Sequence, residues 1–347
     1  MAATRVLVVD DSITMRALFT SALEKSRDLV VVGAANGADE ARDMIRELHP
    51  DVLTLDVEMP GKNGLEFLAE LMETKPIPVV MLSTLTQKGA DVSLKAIELG
   101  AVDCFPKPQR ATPDEFEKIS GKLCKTVLTA AKTNLSARKQ ASAAPAKPAT
   151  PDGYQPDGRI VAISGGMGGM ESAQELLAHY PANCPPTILL LAIDEGLAVP
   201  FASRLSQSIA PKVKMATNGE KLETGVVYIA ADPNTHVVID RWPSGMIRLV
   251  ARDPVNGCRP SADVLFAALS KTAGGAAHGA ILSGGGQDGV AGLVAVKAAG
   301  GHAFGQSPET ALVDEAIVAA QQKGIDTSTA PAGLTAQLLG QELANAA

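Results

Sequence analysis

Short runs of Val, Ile and Leu alternate with amphipathic stretches along nearly the whole chain, and the rhythm breaks once. Before the break the apolar runs are VLVVD, LVVVGA, VLTLD, PVVMLS and VDCF; after it they are RIVAIS, TILLLAI, GVVYIA, HVVID, MIRLV and GAILSG. Short continuous apolar runs suit strands buried on both faces, and strand–helix alternation predicts parallel sheets covered by helices. One stretch departs from this pattern. HVVIDRWPSGMIRLV sets two strands around a Pro-Ser-Gly turn, which predicts an antiparallel hairpin. The break itself, LSARKQASAAPAKPATPDGYQPDG over residues 135–158, is dominated by Ala, Pro, Lys and Ser and keeps no apolar period. It reads as a flexible linker. The expected fold class is therefore α/β: two doubly wound parallel-sheet domains, residues 1–134 and 159–347.

Composition narrows this picture without changing it. The length of 347 residues suits two domains. Aromatic residues make up only 3%, so the cores must be built from Ala, Val, Leu and Ile. A net charge of −7 argues against a general nucleic-acid surface. The four cysteines, Cys104, Cys124, Cys184 and Cys258, are far apart and form no CxxC pair, which points to reduced thiols. No apolar run approaches the roughly 18 residues of a membrane span. The N-terminus MAATRVLVVDD reaches acidic residues too soon for a signal peptide. A soluble cytoplasmic protein is expected.

Candidate chemistry sits where strands end. Asp10 and Asp11 close the first run, Asp56 the third and Ser83 the fourth, and Lys107 follows the fifth. In an open parallel sheet, ligands bind beyond the carboxyl ends of the strands, so these five side chains should converge. Three carboxylates together repel one another and call for a cation, and a hard oxygen-donor set suits Mg²⁺. Asp56 would attack phosphorus as a carboxylate nucleophile, and Ser83 and Lys107 would hold the phosphoryl oxygens.

The set VVDDS, LDVEMPGKNG, MLST and FPKP resembles the receiver domain of two-component response regulators, a flavodoxin-like fold. That resemblance implies Asp56 as phosphoacceptor, Asp10, Asp11, Asp56 and the Glu58 carbonyl as Mg²⁺ ligands, Ser83 as the switch hydroxyl and Lys107 as the family's lysine. It also implies a histidine kinase as partner. The aromatic usually found three residues before the lysine is Cys104 here. Phe105 is adjacent but should point to the opposite face of the strand.

In the second half, RPSADVLFAAL, GVVYIAADPNTHVVI, PFASRL and SGGGQDGVAGL together resemble the catalytic domain of the chemotaxis protein-glutamate methylesterase family, CheB. The resemblance implies a Rossmann-like esterase domain acting on chemoreceptors with a serine, a histidine and an aspartate. The serine stretch of that family reads Ala-Ile-Gly-Ala-Ser-Thr-Gly-Gly, which puts Gly166 at the nucleophile position. The histidine position falls on Ala192, and the aspartate is retained as Asp288. Ser164, two residues before Gly166, is the nearest displaced nucleophile. His179, His236, His278 and His302 all fall away from the base position. GGGQDG (residues 284–289) formally matches the dinucleotide pattern G-x-G-x-x-G, but Asp288 would aim a carboxylate at the pyrophosphate, so family turn geometry explains it better. Three functions follow as expectations: a phosphorylation-controlled adaptor that has lost esterase activity, an active methylesterase and glutamine deamidase with displaced machinery, or a phosphate sink competing for the kinase.

Overall fold

A computed structural model describes residues 2–84, 87–108, 110–136 and 154–340. The chain divides into two compact units, Met1–Leu135 and Ser136–Ala347. Of the stretch expected to be a linker, residues 137–153 lie outside the described residues.

The first unit alternates strand and helix: β1 (Thr4–Val9), α1 (Ile13–Leu23), β2 (Leu29–Ala35), α2 (Ala38–Leu48), β3 (Val52–Asp56), α3 (Gly64–Thr74), β4 (Val79–Ser83), α4 (Gln87–Leu99), β5 (Asp103–Pro106) and α5 (Pro113–Ala131). The five strands form one parallel sheet in the order β2-β1-β3-β4-β5, the flavodoxin-like doubly wound order. All residues of β3 and β4 are buried, as their unbroken apolar runs require. Helix α3 starts on a full capping box: the Asn63 side chain accepts from the Glu66 amide, and the Glu66 carboxylate accepts from the Asn63 amide. Its first residue must be glycine, because a Cβ on Gly64 would sit 2.0 Å from the Asp56 carbonyl oxygen. That close approach pins the helix start to the end of β3.

The second unit contains β6 (Ile160–Gly165), α6 (Gly169–Leu177), β7 (Thr187–Leu191), α7 (Glu195–Ser208), β8 (Lys212–Met215), β9 (Val226–Ala230), β10 (His236–Ile239), β11 (Ile247–Val250), α8 (Ala262–Ala273), β12 (Ala277–Ile281), α9 (Val290–Ala298), β13 (His302–Gln306), α10 (Glu315–Gln322), β14 (Asp326–Thr329) and α11 (Pro331–Leu338). Seven strands form a parallel sheet ordered β14-β13-β12-β6-β7-β9-β8. β10 and β11 pair antiparallel, His236 opposite Val250 and Ile239 opposite Ile247, which is the hairpin expected from sequence. Ile160, Ala162, Ile188, Leu190 and Ile281 make the aliphatic centre of the core, and Tyr228 and Phe266 are its largest members. The Tyr228 hydroxyl keeps its polar end satisfied by donating to the Lys221 carbonyl at 2.9 Å and accepting from the Glu223 amide at 3.0 Å. Among the described residues no helix is long and apolar enough to cross a membrane.

Candidate functional site

The carboxyl ends of β1, β3, β4 and β5 gather the expected residues of the first unit. One carboxylate oxygen each from Asp10, Asp11 and Asp56 falls within a span of 4.8 Å. Asp10 is fully buried, Asp56 is 4% exposed and Asp11 is exposed. The Lys107 ammonium bridges two of them, 2.8 Å from Asp10 Oδ2 and 2.7 Å from Asp56 Oδ2. The other oxygens are also held: Asp10 Oδ1 accepts from the Ser12 amide at 3.0 Å, and Asp56 Oδ1 from the Glu58 amide at 3.2 Å. Burial pushes the Asp56 carboxyl above its ordinary value, against the opposing pull of Lys107. The oxygen-only donor set, with one exposed and two buried carboxylates, fits a hard divalent cation. Arg16, which the sequence reading passed over, donates to the carbonyls of Asp10 (2.8 Å) and Asp11 (3.0 Å) and so fixes the backbone that carries both acids.

Ser83 stands at the same sheet edge, since its neighbour Leu82 pairs with Asp56 across β3 and β4. Its carbonyl accepts from the Lys107 amide at 2.8 Å, and its hydroxyl lies 2.8 Å from the Ser93 hydroxyl on α4. Cys104 and Phe105 face opposite sides of β5 as the strand period demands. The Cys104 thiol donates to the Ser93 carbonyl at 3.4 Å, while the Phe105 ring lies under the Lys122 ammonium of α5 at 5.9 Å.

In the second unit, β6 ends at Gly165 and the bend carries Gly166 at the start of the turn into α6. The Gly166 amide donates to the Ser283 carbonyl at 2.9 Å, and its own carbonyl accepts from the Gly169 amide at 2.8 Å. Gly168 holds φ +78°, and a Cβ there would lie 2.6 Å from Ser283 Oγ, so two segments meet with no room for a side chain. Ala192 is exposed just beyond β7, its amide donating to the Gly165 carbonyl at 2.9 Å. The bend and the end of β7 are thus adjacent, and neither carries a hydroxyl or an imidazole. Ser164 is a strand residue, 6% exposed, with Ile281 and Leu190 as its Cα partners on either side.

Asp288 is occupied elsewhere. Its oxygens accept the Ser261 hydroxyl at 2.6 Å and the amides of Ala262 (2.7 Å) and Asp263 (3.1 Å), which caps α8 from outside the helix. Asp263 answers from the first turn of α8 by accepting the Gly292 amide of α9 at 2.8 Å. Each helix start is therefore closed by a carboxylate from the neighbouring segment. Ser261 escaped the sequence reading, although a serine just before ADVLF is an N-cap signal. The imidazole linked to this cluster is His236, whose Nδ1 accepts from the Ser261 amide at 3.1 Å. Its proton therefore sits on Nε2, 3.0 Å from the Asp253 carbonyl, and neither ring nitrogen is left to act as a base. Of the other histidines, His179 lies half-buried just beyond α6, and His278 and His302 open β12 and β13 at the opposite end of the sheet.

A doubly wound five-stranded sheet with an acidic cluster at its carboxyl edge, followed by a larger parallel-sheet unit, is the architecture of a response regulator joined to an effector. Residues 6–118 match the response regulator receiver domain and residues 161–339 match the CheB methylesterase family. The chain belongs to the CheB methylesterase family. It is 45% identical over 314 residues to protein-glutamate methylesterase/protein-glutamine glutaminase 1 of Caulobacter vibrioides, covering 90% of both chains. It is 43% identical to the protein-glutamate methylesterase/protein-glutamine glutaminase of Agrobacterium fabrum, covering 89% of this chain and 88% of that one. The crystal structure of the Thermotoga maritima CheB methylesterase catalytic domain aligns with a TM-score of 0.51 and 26% identity, over 54% of this chain and all of that one.

Proposed function

We propose that this chain is a chemosensory response regulator, phosphorylated on Asp56, whose second unit binds chemoreceptor or kinase partners without hydrolysing esters. In this reading residues 1–134 receive the phosphoryl group, 135–158 link, and 159–347 carry the output. Asp10, Asp11, Asp56 and the Glu58 carbonyl would hold Mg²⁺, whose charge offsets that gathering on the transferred phosphoryl group. An Asp56 carboxylate oxygen attacks the phosphorus of a kinase phosphohistidine; the new P–O bond forms as the P–N bond breaks, and the freed imidazole takes up a proton. Lys107, already beside Asp56 Oδ2, turns to the phosphoryl oxygens, and Ser83 donates its hydroxyl proton to another.

The observation that carries the absence of hydrolysis is the bend itself. Acyl transfer by this family's chemistry needs a hydroxyl with an imidazole in hydrogen-bond reach, and those two positions are Gly166 and Ala192. The third member is committed to a helix terminus. Loss of both nucleophile and base leaves a triad several orders of magnitude slower. The test is methanol release from methylated chemoreceptors by the phosphorylated full chain. Release at background is expected; turnover comparable to an intact family member would overturn the proposal.

The second reading, an active methylesterase and glutaminase, is favoured by the names of relatives at 43–45% identity. Ser164 would then be its nucleophile. A fluorophosphonate probe separates the two, because labelling of Ser164 in the phosphorylated chain belongs only to the active enzyme.

A further inference from the structure

At the amino ends of β12 and β13, opposite the Gly166 bend, two imidazoles stand side by side. His278 and His302 are direct partners across the parallel pair, so their side chains leave the same face of the sheet. Their ring centroids are 4.7 Å apart and the ring planes are tilted by 36°. His302 is exposed, whereas His278 is 5% exposed and its Nδ1 is buried without a hydrogen-bond partner. A buried nitrogen left unpaired costs free energy until something satisfies it. A second orphan lies at this end of the sheet. Gln337 belongs to α11, which packs across β12 and β13; its amide nitrogen donates to Asp326 Oδ2 at 3.3 Å, while its Oε1 is buried and unpaired. Burial, then the Arg159 charge, push the His278 ring down to about 4, so it is neutral and keeps a free lone pair at neutral pH. The Arg159 charge is itself matched, since its Nε donates to Asp157 Oδ1 at 2.7 Å, and its Nη1 donates to the Leu338 carbonyl at 3.2 Å.

We propose that His278 and His302 form a binding site for a borderline divalent cation of the Zn²⁺, Ni²⁺ and Cu²⁺ class. Neutral imidazole nitrogens suit these ions, whereas Mg²⁺ and Ca²⁺ take oxygen ligands. The oxygen-only cluster of the first unit and the imidazole pair of the second would thus select different metals. An imidazole ligates through a lone pair in its ring plane, so the tilted rings must swing for both nitrogens to face one ion. The exposed His302 has the room to do so, and His278 is held by its packing. Water takes the remaining positions from the exposed side, and Gln337 Oε1 is an acceptor that such a water can satisfy. A bound ion ties β12 to β13 and stabilises the second unit according to its occupancy. The inference stands apart from the readings of Asp56 and Gly166.

The experiment titrates ZnCl₂ into the untagged full chain by calorimetry, with excess MgCl₂ present to occupy the acidic cluster. Saturable binding of one Zn²⁺ is expected. In NMR spectra of the histidine rings the signals of His278 and His302 should shift together, and those of His49, His179 and His236 should stay. Saturating Zn²⁺ should raise the unfolding temperature of the second unit. His302→Ala, a change at an exposed position, should weaken Zn²⁺ binding by at least about ten- to hundred-fold, the cost of losing even an outer hydrogen-bond partner of a ligand, and abolish that rise. His278→Phe should do the same; should it fail to fold, His302→Ala and the ring signals decide alone. A purely structural role for the pair predicts a lower unfolding temperature of metal-free His302→Ala with Zn²⁺ affinity unchanged, and that pattern would overturn the proposal. So would the absence of saturable Zn²⁺ binding, or shifts confined to the other three histidines.

Discussion

The Asp288 carboxylate and the Ser261 hydroxyl meet at 2.6 Å, and around that bond two helix termini are closed at once. Asp288 reaches across to the start of α8, and Asp263 in α8 reaches back to α9. The residue that the family resemblance puts at the aspartate position thus holds a structural post, whatever happens at the bend carrying Gly166.

Asp288→Ala should accordingly destabilise the second unit. It strips a side-chain cap and leaves the Ser261 hydroxyl and two amides without their acceptor, a loss of about 2–3 kcal/mol. Thermal unfolding followed by circular dichroism should show the transition of this unit moving down. Ser261→Ala added to that variant should cost about a further 1 kcal/mol, less than the two single losses summed, because the Ser261 hydroxyl shares one bond with Asp288 but also accepts from the Val264 amide at the same helix start. An Asp288→Ala chain as stable as wild type would contradict the capping role.

The bend has nearly enough room for a serine. A Cβ on Gly166 would approach the Gly284 Cα to 3.3 Å, so the two glycine segments must part by only a few tenths of an ångström. Gly166→Ser is expected to fold at a cost of about 1 kcal/mol and to remain unlabelled by a fluorophosphonate, having no base. Adding Ala192→His supplies the imidazole on the exposed residue adjoining the bend. The double variant is expected to label slowly, since Asp288 is engaged with Ser261 and cannot freely orient the new ring. Labelling at the wild-type background in both variants would mean that the scaffold has lost the geometry as well as the side chains.

If Asp10 and Asp56 hold a divalent cation as proposed, the Lys107 ammonium on their Oδ2 atoms is its competitor. Lys107→Ala removes that competitor and leaves Asp10 and Asp56 repelling each other. Mg²⁺ affinity measured by calorimetry should rise several-fold, while the metal-free unit unfolds at a lower temperature. Unchanged affinity would show that the ammonium and the cation do not share these carboxylates.

His278 offers a pH test at the end of the second unit's sheet opposite the Gly166 bend. Burial, then the Arg159 guanidinium and His302, push its imidazole down to about 4, with Asp157 pulling weakly the other way. The side chain is 5% exposed, and its ring lies 4.7 Å from that of His302. The folded chain holds His278 neutral while the unfolded chain protonates it near its ordinary value. Stability linked to this group is complete above roughly pH 6.5 and is lost as pH falls towards 4, by up to about 3 kcal/mol. Denaturation midpoints between pH 7 and 4.5 should fall less steeply in His278→Phe than in wild type, and an NMR titration should find His278 neutral at pH 5.

Most of the architecture could be read because buried parallel strands need unbroken apolar runs, and β1, β3, β4, β6, β7 and β9 have them. Three strands had no such run. β8 (KVKM) and β14 (DTST) lie at the two edges of the seven-stranded sheet, where one side is free of neighbours and polar residues are tolerated, and β13 (HAFGQ) beside β14 is only half-buried. The convergence of Asp10, Asp56, Ser83 and Lys107 was legible because strand order and strand ends together fix position. Ser93 was not, since a serine inside QKGADVSLKAIEL carries no local mark of what it faces. The exchange between Asp263 and Asp288 was hidden for the same reason: it joins segments about 25 residues apart, through contacts that only packing creates. Ser164 looked close to the bend when counted along the chain, but a strand interior turns two residues of distance into burial between neighbouring strands.

The carboxylate that ties α8 to the segment before α9 also bears on how related sequences are sorted. An aspartate that a helix start depends on will persist whether or not anything is hydrolysed nearby, so its presence says little about turnover. A signature meant to separate working hydrolases from silent ones should be weighted on the positions of Gly166 and Ala192, which hold no helix terminus in place.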